Sequence, residues 1–304
     1  MFVDDIHAQF IDFYQNDGFQ LLPRAPMLHP SIPMSFVMSA GLVQVETSLL
    51  KTPWRTSSKY LLIQECFRHF DLDLVGKDDF HLSLFDMPGA FIFEADAKEK
   101  AIKNIWSLII ELLGIDKNRI WVSFFNGGKV GNQNLTIDNE SREIWLDIGL
   151  QPNRLVGLGP KHNYWTQGGG LKNNEKAIRK CGKNTELFYD RGIEKSCNTS
   201  CRPGCRCGRF LEFSNLLFVT HELHSQSNML SLSNKPFIET VIGSERIAMI
   251  LQNSDSIFDI EKYKPLVNTT RKFKSTKNIP ERVSVESAVS YTHLRANETP
   301  LHLV

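Results

Sequence analysis

The chain has 304 residues, of which 41% are apolar and 23% charged, and its net charge is +1. Those values are of a globular protein with length for one large or two ordinary domains, and they announce no nucleic-acid or membrane partner, so any basic surface must be local. No apolar run approaches a membrane span, and the acidic, amphipathic start MFVDDIHAQF is not a secretory signal, so a cytoplasmic location is expected. Five of the six cysteines fall between Cys181 and Cys207, which in a reduced compartment favours metal over disulfides.

Ile6, Phe10, Phe13 and Tyr14 recur at helical spacing and Gly18 follows, which predicts a helix over Val3–Asn16. Phe19–Leu22 reads as a short strand. Leu28–Met38 holds a strand-like SFVM, and in the SAGLV that follows Gly41 permits a close backbone approach. Leu61–Phe93 then gives two apolar runs joined by a polar, acidic segment, the pattern of a hairpin with Arg68 where its first strand ends. Ile102, Ile105, Trp106, Ile109 and Leu113 make one helical stripe within 95–113. Further on, Arg119–Phe125 reads as a strand before an Asn/Gly-rich loop, Glu140–Asp147 as a helix, and Leu155–Gly159 as a strand. A loop-rich, basic stretch leads to Cys181. Thr185–Tyr189, Phe210–Thr220 and Pro236–Ile242 read as strands, and Ser244–Gln252 as a helix. Strands not separated by regular helices predict an α+β fold on an antiparallel sheet.

Seven segments occur in one order: SAGLVQVETSLL (39–50), QECFR (64–68), HLSLFDMPGAFIF (81–93), NYWTQG (163–168), TELFYDRG (185–192), FLEFSNLLF (210–218) and GSERIAMILQ (243–252). Together they resemble the catalytic core of the alanyl-tRNA synthetases, a class II aminoacyl-tRNA synthetase family, over roughly residues 5–265. The resemblance implies an antiparallel sheet flanked by helices. It also implies that ATP, with Mg²⁺, activates an amino acid for transfer to tRNA. In that chemistry a carboxylate attacks the α-phosphate of ATP and pyrophosphate leaves, so positioning and charge stabilisation do nearly all the work.

Under the resemblance Arg68 grips the α-phosphate, a task that suits a guanidinium able to bind two phosphate oxygens at any working pH. Phe85 becomes the platform for adenine, and Arg246 covers adenine from its other face and reaches the far phosphates. Trp165 and Asn215 lie beside the amino-acid pocket. Glu212 is a candidate ligand of Mg²⁺, against a solvent-facing strand carboxylate, and His81 either approaches phosphate or is structural.

Three departures bear on specificity. The acid expected to receive the substrate ammonium is Glu239, one methylene longer than the family's aspartate, and Val241 replaces a family glycine. Either change reshapes a pocket built for a methyl side chain, which puts alanine in question. The loop after Arg68, HFDLDLVGKDD, lacks the family's histidine-bearing, glycine-rich segment, which puts the acceptor in question. Finally, Cys197, Cys201, Cys205 and Cys207 are spaced C-x3-C-x3-C-x-C around Pro203 and Gly204. Such a set can wrap one tetrahedral ion, with Zn²⁺ the default over free thiols, an iron–sulfur cluster or disulfides. Cys181 is a fifth candidate, so the fourth ligand is left open. Lys195, Arg202, Arg206 and Arg209 make the knuckle basic.

The expected organisation is a catalytic domain over 1–265 with a cysteine-rich insertion at 181–209, then the start of a following region at 266–284. Residues 285–304, particularly SAVSYTHLRANETPLHLV, resemble translated sequencing-adaptor read-through, so the natural protein is expected to continue beyond this point. Three readings compete. One is a synthetase charging tRNA with alanine or a similar small residue, another a stand-alone relative passing the acyl group to a different acceptor, and the third a non-catalytic regulatory or RNA-binding relative.

Overall fold

A computed structural model describes residues 1–27, 38–45, 57–68, 72–94, 96–168 and 178–272. Residues 35–37 of the SFVM segment, the ETSLL segment and the expected read-through tail lie outside these residues, as do positions 69–71 of the loop after Arg68.

Helix α1 spans Val3–Asn16. Its buried face is Val3, Ile6, Phe10 and Tyr14, and Gly18 at φ +82° lets the chain leave it. A two-residue strand β1 (Gln20–Leu21) follows, and residues 41–45 form a helical turn where a close backbone approach at Gly41 was expected. The hairpin pairs β2 (Lys59–Phe67) with β3 (Leu84–Ile92) from Lys59↔Ile92 to Phe67↔Leu84. Helix α2 (Lys98–Trp106) continues as a π-helical stretch to Leu112.

The second half is richer in strand than the sequence led us to expect. β4 is Ile120–Phe125, and the Asn/Gly-rich loop after it is itself a small hairpin, β5 (Gly128–Val130) with β6 (Gln133–Leu135). Helix α3 (Asn139–Asp147) leads to β7 (Leu155–Leu158); a turn of helix, α4 (Pro160–Asn163), then leads to β8 (Tyr164–Thr166). The three longest strands are β9 (Ile178–Asp190), β10 (Phe210–His224) and β11 (Met229–Ile242), before helices α5 (Ser244–Leu251) and α6 (Lys264–Lys272). Residues 181–190, read above as part of the insertion, therefore belong to β9.

The strands join one sheet in the order β1-β2-β3-β11-β10-β9-β4-β7, with β8 on β9. It is antiparallel except at its ends, where β1 pairs β2 and β4 pairs β7 in parallel. Side chains alternate between the faces. Leu61, Ala90, Ile92, Leu187, Leu216 and Ile238 point to the face on which α1, α2 and α5 pack and form the main core. The other face is polar in its middle, with a smaller apolar cluster around Leu62, Phe91, Leu217 and Val219 at one end.

Gly182 marks why β9 runs so long. A Cβ there would lie 1.8 Å from the Phe218 carbonyl oxygen, so only glycine lets the strands approach at this point. Gly182→Ala is expected to cost at least about 1–3 kcal/mol, because the clash is between backbones and no rotamer relieves it. A urea midpoint equal to that of the parent would contradict this.

Candidate active site

The polar face carries the site. Arg68 follows β2 immediately, and its backbone N–H donates to the Ser83 carbonyl, extending the hairpin ladder by one step. Cys66 is opposite Phe85 in the register, so Arg68, two residues on, leans over the same ring: its guanidinium carbon is 5.0 Å from the Phe85 centroid. Its Nε also donates to the Ser39 carbonyl at 3.4 Å. The two hairpin residues are thus brought together, but Arg68 occupies the platform on which adenine was expected to stack.

Of the residues expected at the amino-acid pocket, Val241 and Asn215 fall into a lateral row. Reading across the sheet, the partners are Leu62↔Gly89, Gly89↔Val241, Val241↔Asn215, Asn215↔Glu186 and Glu186↔Ser123. Gly89 leaves space beside Val241, since a Cβ there would meet the Phe91 ring at 3.0 Å and the Val241 side chain at 3.6 Å. Glu239 lies one step along the same face, opposite Phe91 and Leu217, and is 3% exposed. Trp165 pairs with Gly182 and packs on the Leu217 and Val219 cluster.

Glu212 reaches this face through an irregularity. Simple alternation would put it opposite to Asn215, three residues on. The register shifts between Glu212 and Ser214, so Phe213 is the extra residue of a bulge and joins the core, and Glu212 is opposite Phe188 on the polar face.

Sequence reasoning missed Glu186, the residue of the row with the most side-chain hydrogen bonds. Glu186 accepts from Ser123 Oγ at 3.2 Å, from Asn184 Nδ2 at 3.3 Å and from Asn215 Nδ2 at 3.5 Å. Asn184 Nδ2 also donates to Asn215 Oδ1 at 3.1 Å, and Asn163, which opens the NYWTQG segment, donates to Ser123 Oγ at 2.9 Å. Burial first, and the charge of Glu212 second, push the Glu186 carboxyl well above the usual carboxylate range, against the hydrogen bonds from Ser123 and Asn184. Its signal in the sequence was an acid two residues from Phe188 in a strand whose alternate residues are apolar.

That shift has a sign. A carboxyl whose pKa is raised by folding holds its proton longer in the native state than in the unfolded chain, so stability falls as pH rises from about 4.3 through the folded value. Glu186→Gln should remove this slope, leaving the variant more stable than the parent at neutral pH and close to it near pH ~4. Denaturant titrations across that range check it, and a parent that is the more stable at neutral pH would contradict the assignment.

The ring beneath Arg246 is Phe80, not Phe85. The Arg246 guanidinium carbon is 5.5 Å from the Phe80 centroid, and its Nη1 donates to the Glu212 carbonyl at 2.7 Å. Arg68 on Phe85 and Arg246 on Phe80 thus form two separate ring–guanidinium pairs. His81 is tied to Asp78 through both its Nδ1 and its backbone N–H, the latter at 2.9 Å, and its ring is 5.1 Å from that of Phe80. The structural reading of this histidine has the better support.

Cys181 is not with the other thiols. It is buried in β9, and the Tyr164 hydroxyl approaches its sulfur at 3.6 Å in a separate apolar cluster. By contrast the sulfurs of Cys197, Cys201 and Cys205 lie within 4.8 Å of one another, and those of Cys201 and Cys207 are 3.4 Å apart. Sulfurs at about 2.3 Å from one tetrahedral ion would be about 3.8 Å from each other, so the Cys197, Cys201 and Cys205 set is compatible with zinc, and Cys207 beside Cys201 is the candidate fourth ligand. Burial opposes ionisation of Cys201, but hydrogen bonds from the Cys197 backbone and the Ser196 hydroxyl bring its thiol down to about 7, into the range where a thiolate ligand forms readily.

A cavity of about 250 Å³ opens beneath the hairpin, lined by His7, Ile63, Glu65, Asp86 and Lys262 among others; of the site residues it touches only Phe85. Lys262 bridges Asp86 and Glu245 there, which ties β3 to α5.

The family model "tRNA synthetases class II (A)" matches residues 5–298 and so extends into the stretch set aside from residue 285. An alanine-tRNA ligase of Thermoanaerobacter sp. (strain X514) is 33% identical over 268 residues, covering 88% of this chain and 28% of the relative. That of Leptospira interrogans serogroup Icterohaemorrhagiae serovar copenhageni is 32% identical over 274 residues, covering 88% and 26%. The chain thus spans less than a third of the curated relatives it matches. A crystal structure of apo S. aureus histidyl-tRNA synthetase aligns with a TM-score of 0.48 at 11% identity, over 84% of this chain and 67% of that one. With a family model matched across nearly its whole length, the chain belongs to the class II (A) tRNA synthetases.

Proposed function

We propose that the chain activates an amino acid with ATP and Mg²⁺ and transfers it to tRNA, with alanine or a similarly small residue as substrate, in the cytoplasm. One observation carries this reading: a single sheet face presents Arg68 and Phe85 at one end and the Glu239, Val241, Asn215 and Glu186 array next to it. Arg68 swings from the Phe85 ring onto the α-phosphate, and adenine takes the vacated platform. Arg246, braced by Phe80 and the Glu212 carbonyl, meets the far phosphates. Glu239 receives the substrate ammonium, and Val241 over Gly89 limits the side chain. Glu212 would ligate Mg²⁺, with Glu186 alongside, and the ion would supply positive charge at the phosphates. In this geometry the substrate carboxylate attacks the α-phosphorus as the bond from that phosphorus to the bridging oxygen breaks, and the two arginines draw off the charge that leaves with pyrophosphate. The thiol tetrad would hold a structural Zn²⁺, which supplies cohesion to the knuckle and no chemistry at the phosphates.

A second reading keeps the adenylation and changes the acceptor. The longer Glu239, Val241 in place of glycine and the altered loop after Arg68 favour it. Amino-acid-dependent ATP–pyrophosphate exchange across the twenty amino acids, followed by transfer to tRNA, tests both. Exchange with alanine and charging of tRNA supports the first reading; exchange without charging supports the second; exchange with none of them refutes both in favour of a non-catalytic relative.

A further inference from the structure

We propose that the cysteine knuckle, closed on a metal ion, is a positioning element for Arg246. The inference rests on the tetrathiolate reading above and adds to it a role in ATP binding.

Two routes run from the thiols to this guanidinium. The first is through β10. Phe210, its opening residue, packs with Phe188 and Cys201, and the partly buried Trp121, Cys205 and Cys207 pack against the same cluster. Two residues on, the Glu212 carbonyl accepts from Arg246 Nη1 at 2.7 Å. Wherever the knuckle sets Phe210, it sets that carbonyl. The second route is through Phe80. Gly208 follows Cys207 directly, and a Cβ there would be 3.7 Å from Phe80 Cε1. Phe80 in turn is the ring on which Arg246 rests.

Arg191 ties these parts together. It is 9% exposed, and it donates from Nη1 to the Gly208 carbonyl at 3.0 Å, and from Nη2 to Asp79 at 3.2 Å and to the Asp255 carbonyl at 2.7 Å. One guanidinium thus pins the exit of the knuckle, the residue before Phe80, and the segment after α5. Arg209, bidentate on Asp190 at 2.8 and 2.7 Å, fixes the base of the same loop.

What the knuckle lacks is a core of its own. Between residues 193 and 208 only Cys201 and Pro203 are buried, and the regular structure is a single 3₁₀ turn at Ile193–Lys195. A loop of this kind depends on its thiolate–metal bonds, so losing the ion loosens the packing of Cys201, Cys205 and Cys207 on Phe210 and leaves Gly208 held by Arg191 alone. Groups that orient a functional side chain from behind typically shift affinity or activity by about 10- to 100-fold when removed.

The test measures ATP and alanine binding to the full chain by titration calorimetry, with bound zinc determined in each sample. The zinc-loaded chain should carry one ion. Stripping it should weaken ATP binding by about tenfold and leave alanine binding unchanged. Phe80→Leu should keep its zinc in full, show the same weakened ATP binding, and respond less to stripping. Stoichiometric zinc with the same ATP affinity before and after stripping would overturn the positioning role and leave the metal site standing. A chain that holds no zinc would overturn both. Should the stripped chain unfold, Phe80→Leu decides: unaltered ATP affinity with zinc in place refutes the proposal.

Discussion

Arg68→Ala is expected to lower amino-acid-dependent ATP–pyrophosphate exchange by about 100- to 1,000-fold, the scale of losing one preorganised charge on a developing oxyanion. Arg68 lies past the last ladder pair of β2, and its side chain rests on a partly exposed ring rather than in the core, so the fold should survive the change. The loss should appear mainly in kcat, because the guanidinium meets charge that grows as pyrophosphate departs. Arg68→Lys should recover little, since an ammonium cannot bridge two phosphate oxygens in the planar fork that a guanidinium offers. Exchange kinetics and a denaturation midpoint, measured on the same samples, separate this from misfolding. An alanine variant with undiminished exchange would remove Arg68 from the phosphate site.

Glu239→Gln should reduce kcat/KM for the amino acid by about 10- to 100-fold, the value of one hydrogen bond to a charged group, with the KM for ATP little changed. Glu239 is buried on the polar face, opposite Phe91 and Leu217, where the adjoining row holds Val241 over Gly89. A carboxylate there can form a desolvated pair with a substrate ammonium. Glu239→Asp restores the family's residue but withdraws the carboxylate by one methylene from a pocket that now contains Val241. It should lose activity, while Glu239→Asp combined with Val241→Gly should regain part of it for alanine. One methylene in such a pocket is worth about 1–3 kcal/mol. If Glu239→Asp alone were more active with alanine, the two positions would not be coupled.

Much of the scaffold could be read from the residues. The stripe of Ile6, Phe10 and Tyr14 foretold α1, and the apolar runs around Arg68 foretold the hairpin, because both bury one face against the same core. The long strands were cut short in the reading because their ends are polar and glycine-bearing. Lys180, Gly182 and Asn184 argue against strand by propensity, yet backbone pairing and the space at Gly182 override it. Of the candidate site, Arg68 and Glu239 were singled out through the resemblance, and the structure puts both on one face of the sheet. The site was not legible where position in space decided. Glu212 and Asn215 share a face only through the bulge at Phe213. Cys181 is near the other cysteines in sequence but belongs to the Tyr164 cluster in β9. Phe80 lay in a segment read only as a polar loop, and nothing local showed that Arg246 would rest on it.

The central claim is that one face of the sheet binds an aminoacyl adenylate. A crystal structure with a non-hydrolysable alanyl-adenylate analogue tests it most directly. The account predicts adenine on the Phe85 ring with Arg68 displaced from it, the phosphate mimic on Arg68, and the ammonium on Glu239. An analogue seated instead in the cavity beneath the hairpin, against Glu65, Asp86 and Lys262, would contradict it.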